Sequence, residues 1–212
     1  MNKRLFVALV LALTLVALAV TSALAGNIFR FRGQFANAFF FSTDGCIDTF
    51  VDVFAVDGRF QAPPGPGSSS SGAGIFINEF NFCTGSSVFF SGFATLADAD
   101  FRVSRDLTSA TLNTTIPVEV FVCDEFGCTF VGTDVVDVDQ TWTGTGTLSR
   151  GNSHFHSSSP NCIVNGHSNG SSRPAEASGS VTIAATDFTP NPTDSAFLSS
   201  TKDGTVQIGC EF

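Results

Sequence analysis

The sequence contains no tyrosine, a single tryptophan and a single methionine, although 24 of its 212 residues are phenylalanine. Sugar-binding modules usually present tryptophan or tyrosine platforms, so the scarcity of both disfavours that class of protein. No window shows a 3.6-residue hydrophobic period, which argues against helices. Short runs rich in Phe, Val and Thr, separated by Gly, Asp, Asn and Pro, predict an all-β fold instead, with phenylalanine taking most of the core positions.

Basic residues are also scarce. Ten Lys and Arg residues stand against 19 Asp and Glu residues, and the formal net charge is −9. A surface of this sign repels nucleic acid and anionic membranes, so no nucleic-acid partner is expected. The charge suits an exported solute, or a surface that attracts cations.

Recognisable catalytic motifs are absent as well. The sequence has neither GxSxG nor HExxH, and no pair of carboxylates stands out as a general acid and base. Residues 199–202 satisfy SxxK, but that motif needs the start of a helix, and here it precedes a predicted hairpin turn. These absences favour a non-enzymatic binding or structural protein over an enzyme, with an unidentified extracellular ligand or surface as its partner.

The first 25 residues are typical of a secretory signal peptide. Lys3 and Arg4 precede an apolar run over residues 5–20, and the small residues around Ala23 indicate cleavage after Ala25. The sequence therefore predicts a secreted or cell-surface protein in which residues 26–212 form one domain. No second apolar run follows, so we expect no membrane span in the mature chain.

The spacing of turn residues predicts the architecture. About eleven to thirteen short strands, with turns roughly every 8–12 residues, are typical of a single-domain antiparallel β-sandwich or barrel. Residues 62–74 are rich in Pro, Gly and Ser and predict a flexible loop or a lid. Pro117 predicts an edge or a break in its strand. Residues 202–204, Lys-Asp-Gly, predict a hairpin turn between two final strands.

Six cysteines in an exported chain favour disulfides. Cys123 and Cys128 bracket a four-residue loop between β-rich runs, and facing positions across a tight hairpin bring Cβ atoms within bridging distance. This pair is therefore predicted to be bonded. Spacing cannot assign the others, and sequence order alone suggests Cys46–Cys83 and Cys162–Cys210. No CxxC spacing indicates a zinc site built from cysteine.

All three histidines of the chain lie within residues 149–167. We predict a hairpin here in which Ser157 lies opposite Cys162. Alternation of side chains then puts His154, His156 and His167 on one face, with His154 and His167 as diagonal neighbours. Three imidazoles at this spacing suit zinc or another divalent transition metal, and no other cofactor is predicted.

Two alternatives to a simple binding or structural protein remain open. The histidine cluster could belong to a metal-binding protein or a metal-dependent enzyme, although it could also be a polar hairpin that faces solvent. The C-terminal alternation of Val206, Ile208, Cys210 and Phe212 resembles the last strand of bacterial outer-membrane β-barrels. The absence of tyrosine and the single Trp142 oppose the second alternative, because such barrels carry aromatic girdles.

Overall fold

The structure is a computed structural model that describes residues 27–62, 67–97, 99–159, 162–189 and 192–210. The predicted signal peptide lies outside these residues. Antiparallel strands make up most of the described chain, so the prediction of an all-β antiparallel fold is confirmed. In this part of the chain, no helix has the length and apolar character needed to cross a membrane.

Eleven β-strands run through the described residues, and most of them are 10 to 22 residues long. Strands of this length can contribute to the core at one end and to a surface site at the other. Their bounds are β1 (Asn27–Asp44), β2 (Ile47–Gln61), β3 (Ser68–Asn81), β4 (Ser86–Thr95), β5 (Phe101–Val103), β6 (Ser109–Asp124), β7 (Gly127–Gly144), β8 (Ser149–Ser159), β9 (Cys162–Ile183), β10 (Thr186–Asp187) and β11 (Ser195–Cys210).

Eight of these strands close into a barrel, because β7 pairs with both β6 and β9. The order around the ring is β9, β11, β1, β2, β3, β4, β6 and β7. β7 pairs with the C-terminal part of β9, whereas β8 pairs with residues 162–172 of the same strand. The N-terminal half of β9 therefore continues past the closed ring. β8 pairs with this half on one edge, and β11 pairs with it on the other.

The inside of the barrel is filled by small and aliphatic side chains. Full burial of one such aliphatic side chain stabilises the fold by about 1.5–3 kcal/mol. Trp142 is the largest fully buried side chain, and its Nε1 donates a hydrogen bond across the barrel to the carbonyl oxygen of Asn37 at 2.9 Å. Other core members on the ring strands are Ala36, Ala38, Val51, Val53, Ala55, Ala73, Ile75, Ile77, Leu112, Ile116, Val136, Val138 and Leu198.

Most phenylalanines of the ring strands lie on the outer face of the barrel, so the expectation that they fill the core is wrong. Among the described residues, the buried core includes only Phe29, Phe40 and Phe101 of this type. The outer rings stack across strands, with successive centroids 4.2 to 6.2 Å apart. In the C-terminal half of β1 both faces are apolar, and the narrow interior takes mainly alanine there while most of the phenylalanines lie outside. The longest such stack consists of Phe39, Phe50, Phe76, Phe89, Phe121 and Phe130.

The Ser- and Gly-rich stretch is a strand and not the predicted loop. β3 begins at Ser68 and pairs with β2 along its whole length, while residues 63–66 lie outside the described part of the chain. The ring of Phe54 lies over Gly74 on the neighbouring strand, where a Cβ atom would overlap the ring. Glycine has no side chain to pack and weakens a strand. A cross-strand aromatic ring that covers the glycine supplies this missing contact.

Neither Pro117 nor residues 202–204 ends a strand. β6 runs through Pro117, on a stretch of its edge after the pairing with β5 ends at Leu112 and before the pairing with β4 begins at Val118. The edge interpretation of Pro117 therefore holds, since its missing N–H removes no ladder bond there. The predicted hairpin at residues 202–204 is wrong, because β11 is continuous and Lys202 is the extra residue of a β-bulge.

Two disulfides lie wholly within the described residues, and both match pairs predicted from the sequence. Cys46–Cys83 ties the β1–β2 turn to the β3–β4 turn, and Cys123–Cys128 closes the β6–β7 hairpin, with Cα separations of 5.6 and 4.0 Å. The side chain of Cys210 lies outside the described part of the structure, so the predicted Cys162–Cys210 bond stays a prediction. The backbone register places these two residues opposite each other.

A carboxylate lies within the outer phenylalanine face. Asp52 pairs with Phe39 on one side and Phe76 on the other, and Asn37 Nδ2 donates a hydrogen bond to its Oδ1 at 2.5 Å. Burial raises the pKa of the Asp52 carboxyl, and the hydrogen bond from Asn37 only partly opposes this. The carboxyl therefore binds its proton more tightly in the folded state than in the unfolded state.

Replacing Asp52 by asparagine should change how stability depends on pH. A raised carboxyl pKa contributes stability that is present at low pH and is lost as the pH rises through the folded-state pKa. Asp52→Asn should therefore raise the melting temperature at pH 7 and leave it nearly unchanged below the ordinary carboxyl pKa of 3.8. Thermal unfolding followed by circular dichroism between pH 3 and pH 8 measures both values, and an equal shift at every pH would contradict the assignment.

Candidate functional site

The inward face of the barrel changes from apolar to polar where the strands extend past the closed ring. In β1, Ala38 and Ala36 lie in the core, and the same side of the strand continues through Gln34, Arg32 and Arg30. Directly opposed residues share a face, and the pairs Arg30–Thr205, Thr205–His167 and His167–His154 carry this face across four strands. We call this surface the open-end face. It comprises Arg30, Arg32, Gln34, Asp57, Arg59, Gln61, His154, His156, Asn165, His167, Thr205 and Gln207.

The strands of this end also carry most of the positive charge of the chain. Ten basic residues include Lys3 and Arg4 of the predicted signal peptide, which leaves eight in residues 26–212. Six of the eight lie on β1, β2, β8, β9 and β11, in an otherwise acidic protein. The six are Arg30, Arg32, Arg59, Arg150, Arg173 and Lys202. The same five strands also carry six acidic residues, of which only Asp57 lines the cavity described below, so the excess of positive charge is local to that cavity.

Arg32 and Arg59 lie directly opposite each other on β1 and β2. Like charges at directly opposed positions destabilise an antiparallel pair. Within the described chain neither guanidinium forms an ion pair or a side-chain hydrogen bond, and the nearby Asp57 accepts instead from Ser71 Oγ at 2.7 Å. Neither positive charge is neutralised by an ion pair within the described chain, although the Asp57 carboxylate lines the same cavity.

An open cavity of about 450 Å³ adjoins this arginine pair. Three cationic side chains and one carboxylate line it, which gives a local net charge of +2. Residues with neutral donor side chains also line it, namely Gln34, Ser69 and Ser200. The charged lining residues are Arg32, Arg59, Lys202 and Asp57.

The histidine hairpin is built from β8 and the start of β9. Ser159 lies opposite Cys162, and His154 lies directly opposite His167, so the predicted register is wrong by two residues. The connection spans two residues, 160 and 161, where four were expected. A shift of two residues preserves the face of every side chain, and the three histidines therefore still share one face.

The structure brings two of the three imidazoles into contact. The rings of His154 and His167 have centroids 4.4 Å apart and are tilted by 31°. His167 Nδ1 is buried and has no hydrogen-bond partner among the described residues. His156 lies farther along β8, and its Nδ1 donates to Asn165 Oδ1 at 2.6 Å. No group of three or more His, Cys, Asp or Glu side chains within the described ranges is placed to hold a metal ion.

Reasoning from the sequence found the histidines but missed the arginine pair. The alternation of Arg30 and Arg32 with phenylalanine does show that one face of β1 is polar. Arg59 could not be paired with Arg32, because their opposition depends on the β1–β2 register. The proximity of Lys202 depends on the bulge in β11, which the sequence suggested was a turn.

Comparisons with known proteins give little help. No family model matches the sequence, and no curated protein matches it. A solved structure of a protein provisionally called AttH, from Nitrosomonas europaea, aligns with 92% of this chain at 11% identity and a TM-score of 0.25. The alignment covers 55% of that protein, so this chain spans about half of its length. A likeness this weak carries no argument about fold or function, and the open-end face has to be interpreted from its own chemistry.

Proposed function

We propose that this chain is an exported, non-enzymatic binding protein whose open-end face binds a small organic anion with carboxylate or phosphate groups. The single observation that supports this most is the direct opposition of Arg32 and Arg59 beside a cavity. Repulsion between two directly opposed arginines lowers the stability of the strand pair, and such a pair is unexpected in a chain with so few basic residues. An anion between them turns the repulsion into two attractive contacts.

The chemistry of the lining residues fits such a ligand. Guanidinium groups present planar, forked donors that match carboxylate and phosphate oxygens, and the resulting charge-assisted hydrogen bonds are stronger than neutral ones. Lys202 adds a third cation, and Gln34 and Ser200 can bind neutral oxygens of the same molecule. The cavity of about 450 Å³ is open to solvent and has room for a small organic anion.

The predicted export of the chain is consistent with an extracellular binding function. The predicted signal peptide leads to an oxidising environment, in which disulfides such as Cys46–Cys83 persist. The outer-membrane alternative is less well supported. Outer-membrane barrels have a polar interior and a continuous apolar outer band. Here Ile75 and Val138 belong to an apolar interior, while Asp137 and Asp139 are exposed on β7.

Titration calorimetry with citrate and with inorganic phosphate tests the proposal at low ionic strength. Arg59→Ala should weaken binding by about tenfold or more, since a hydrogen bond to a charged group contributes about 1.5–3 kcal/mol. The same variant without ligand should be no less stable than the native protein, because one of two opposed like charges is removed. Raising the salt concentration should weaken binding, because the site is exposed to solvent.

Arg102 provides a matched control. It is an exposed arginine on β5, which pairs with β6 and is not among the cavity strands. Arg102→Ala lowers the net charge by the same amount and should leave anion binding unchanged. Equal weakening in both variants would mean that only overall charge matters, and no binding of either anion by the native protein would refute the proposal. A preference for citrate or for phosphate distinguishes the two kinds of anion.

A further inference from the structure

We propose that His154 and His167 form a second, separate site, which binds one divalent transition metal ion through two imidazole nitrogens while water completes the coordination. The site does not depend on the proposed anion-binding function. It differs from the three-histidine site predicted from the sequence, because His156 is not a ligand.

The geometry of the hairpin brings these two rings to one ion. Two nitrogens bound to the same metal at 2.0–2.1 Å lie about 3 Å apart. Rings with centroids 4.4 Å apart reach that separation by a small change in side-chain torsion angles. Directly opposed strand positions hold the Cβ atoms at a fixed distance, so the backbone organises the pair before the metal arrives.

An unsatisfied atom supports this site independently of the ring contact. His167 Nδ1 is buried and lacks a hydrogen-bond partner within the described chain. Buried polar atoms are normally hydrogen-bonded, and an exception calls for a missing water or ion. A metal ion bound at Nδ1 is such a partner, and Nε2 of His167 then carries the proton.

His156 has a different environment, although it lies on the same face. Its Nδ1 donates to Asn165 Oδ1, so the ring is oriented by its own cross-strand partner and not by the His154–His167 pair. The described part of the chain holds no group of three side chains that could share one ion. Two protein ligands leave open coordination positions, which water fills in labile sites of this kind.

The electrostatic surroundings permit a cation at this position. Arg30 is the cation in the same cross-strand row, and it lies two strands from His167. Two strand spacings amount to about 10 Å, which is close to the Debye length at 0.1 M salt, so salt weakens its repulsion at this distance.

Binding of Cu²⁺ to the exported protein tests the proposal, with electron paramagnetic resonance and titration calorimetry as the two measurements. The native protein should bind one Cu²⁺ with hyperfine coupling from two imidazole nitrogens. His154→Ala should weaken binding by about tenfold or more, since loss of even an outer-shell partner commonly costs 10–100-fold. His154 is exposed on β8, so this variant should fold, and circular dichroism without metal checks that it does.

His156→Ala is the matched control on the same strand and face. It should bind Cu²⁺ within about threefold of the native affinity, with the same two-nitrogen spectrum. If His156→Ala loses affinity as strongly as His154→Ala, the two-histidine assignment is wrong. Binding that survives in His154→Ala and His167→Ala alike would also overturn it. Neither outcome bears on anion binding, which is measured with different probes and different variants.

Discussion

Trp142→Ala is expected to lower the free energy of unfolding by about 3–5 kcal/mol, the range typical of truncating a large buried aromatic residue. Trp142 is fully buried at the centre of the barrel, where its ring contributes more volume than any other buried side chain. Truncation leaves a cavity and also removes the donor to the Asn37 carbonyl. Urea unfolding followed by far-UV circular dichroism measures the loss, since the variant has no tryptophan fluorescence.

Two further variants separate the contributions to this effect. Trp142→Phe keeps an aromatic ring but removes the indole N–H, and the loss of its hydrogen bond to the Asn37 carbonyl should account for about 0.5–1.5 kcal/mol. Phe126→Ala removes a ring that is 89% exposed in the β6–β7 turn, and it should change stability by less than about 0.5 kcal/mol. A Trp142→Ala variant as stable as Phe126→Ala would contradict the placement of Trp142 in the core.

The fold class followed from local sequence because strand alternation is a local property. β1 and β7 show period-two patterns that survive without knowledge of any partner. The predicted strand boundaries were wrong where residues typical of turns occur inside a strand. Residues 202–204 have the composition of a turn, and in β11 they form a bulge. Pro117 continues its strand because the edge beside it is unpaired, which depends on where β4 and β5 end.

The direction in which a strand faces was harder to predict than its existence. In β1, phenylalanines alternate with alanines, so hydrophobicity alone cannot say which side faces the core. The barrel interior is narrow, and it selects Ala36 and Ala38 while Phe35 and Phe39 lie outside. Gln140 illustrates the converse, since its amide is fully buried inside the barrel although its residue type predicts exposure.

The candidate site shows the same division between local and non-local information. Alternation placed the three histidines on one face, and that part of the prediction needed no register. The contact of His154 with His167 and the opposition of Arg32 to Arg59 both depend on register, which long-range packing decides. Single-sequence reasoning can therefore locate a polar face in this chain, but it cannot say which of its side chains meet.

Removing the Cys46–Cys83 disulfide is expected to lower the free energy of unfolding by about 4 kcal/mol, whereas removing Cys123–Cys128 should cost about 2 kcal/mol. The difference arises because a cross-link restricts the unfolded chain more when it closes a longer loop. The sequence separations are 37 and 5 residues. Paired serine substitutions, Cys46→Ser with Cys83→Ser and Cys123→Ser with Cys128→Ser, followed by urea unfolding, compare the two bonds directly.

The location of each bond sharpens this comparison. Cys46–Cys83 joins two turns, and the backbone hydrogen bond from Phe82 N to the Cys46 carbonyl oxygen, at 3.0 Å, joins the same turns. Cys123 and Cys128 are already adjacent through the β6–β7 pairing, so their bond adds little restraint to a hairpin that forms locally. If the two double variants lose the same stability, loop closure in the unfolded state is not the main source of the effect. If removing Cys123–Cys128 lowers the free energy of unfolding more than removing Cys46–Cys83, the main effect of that bond is to stabilise the folded hairpin.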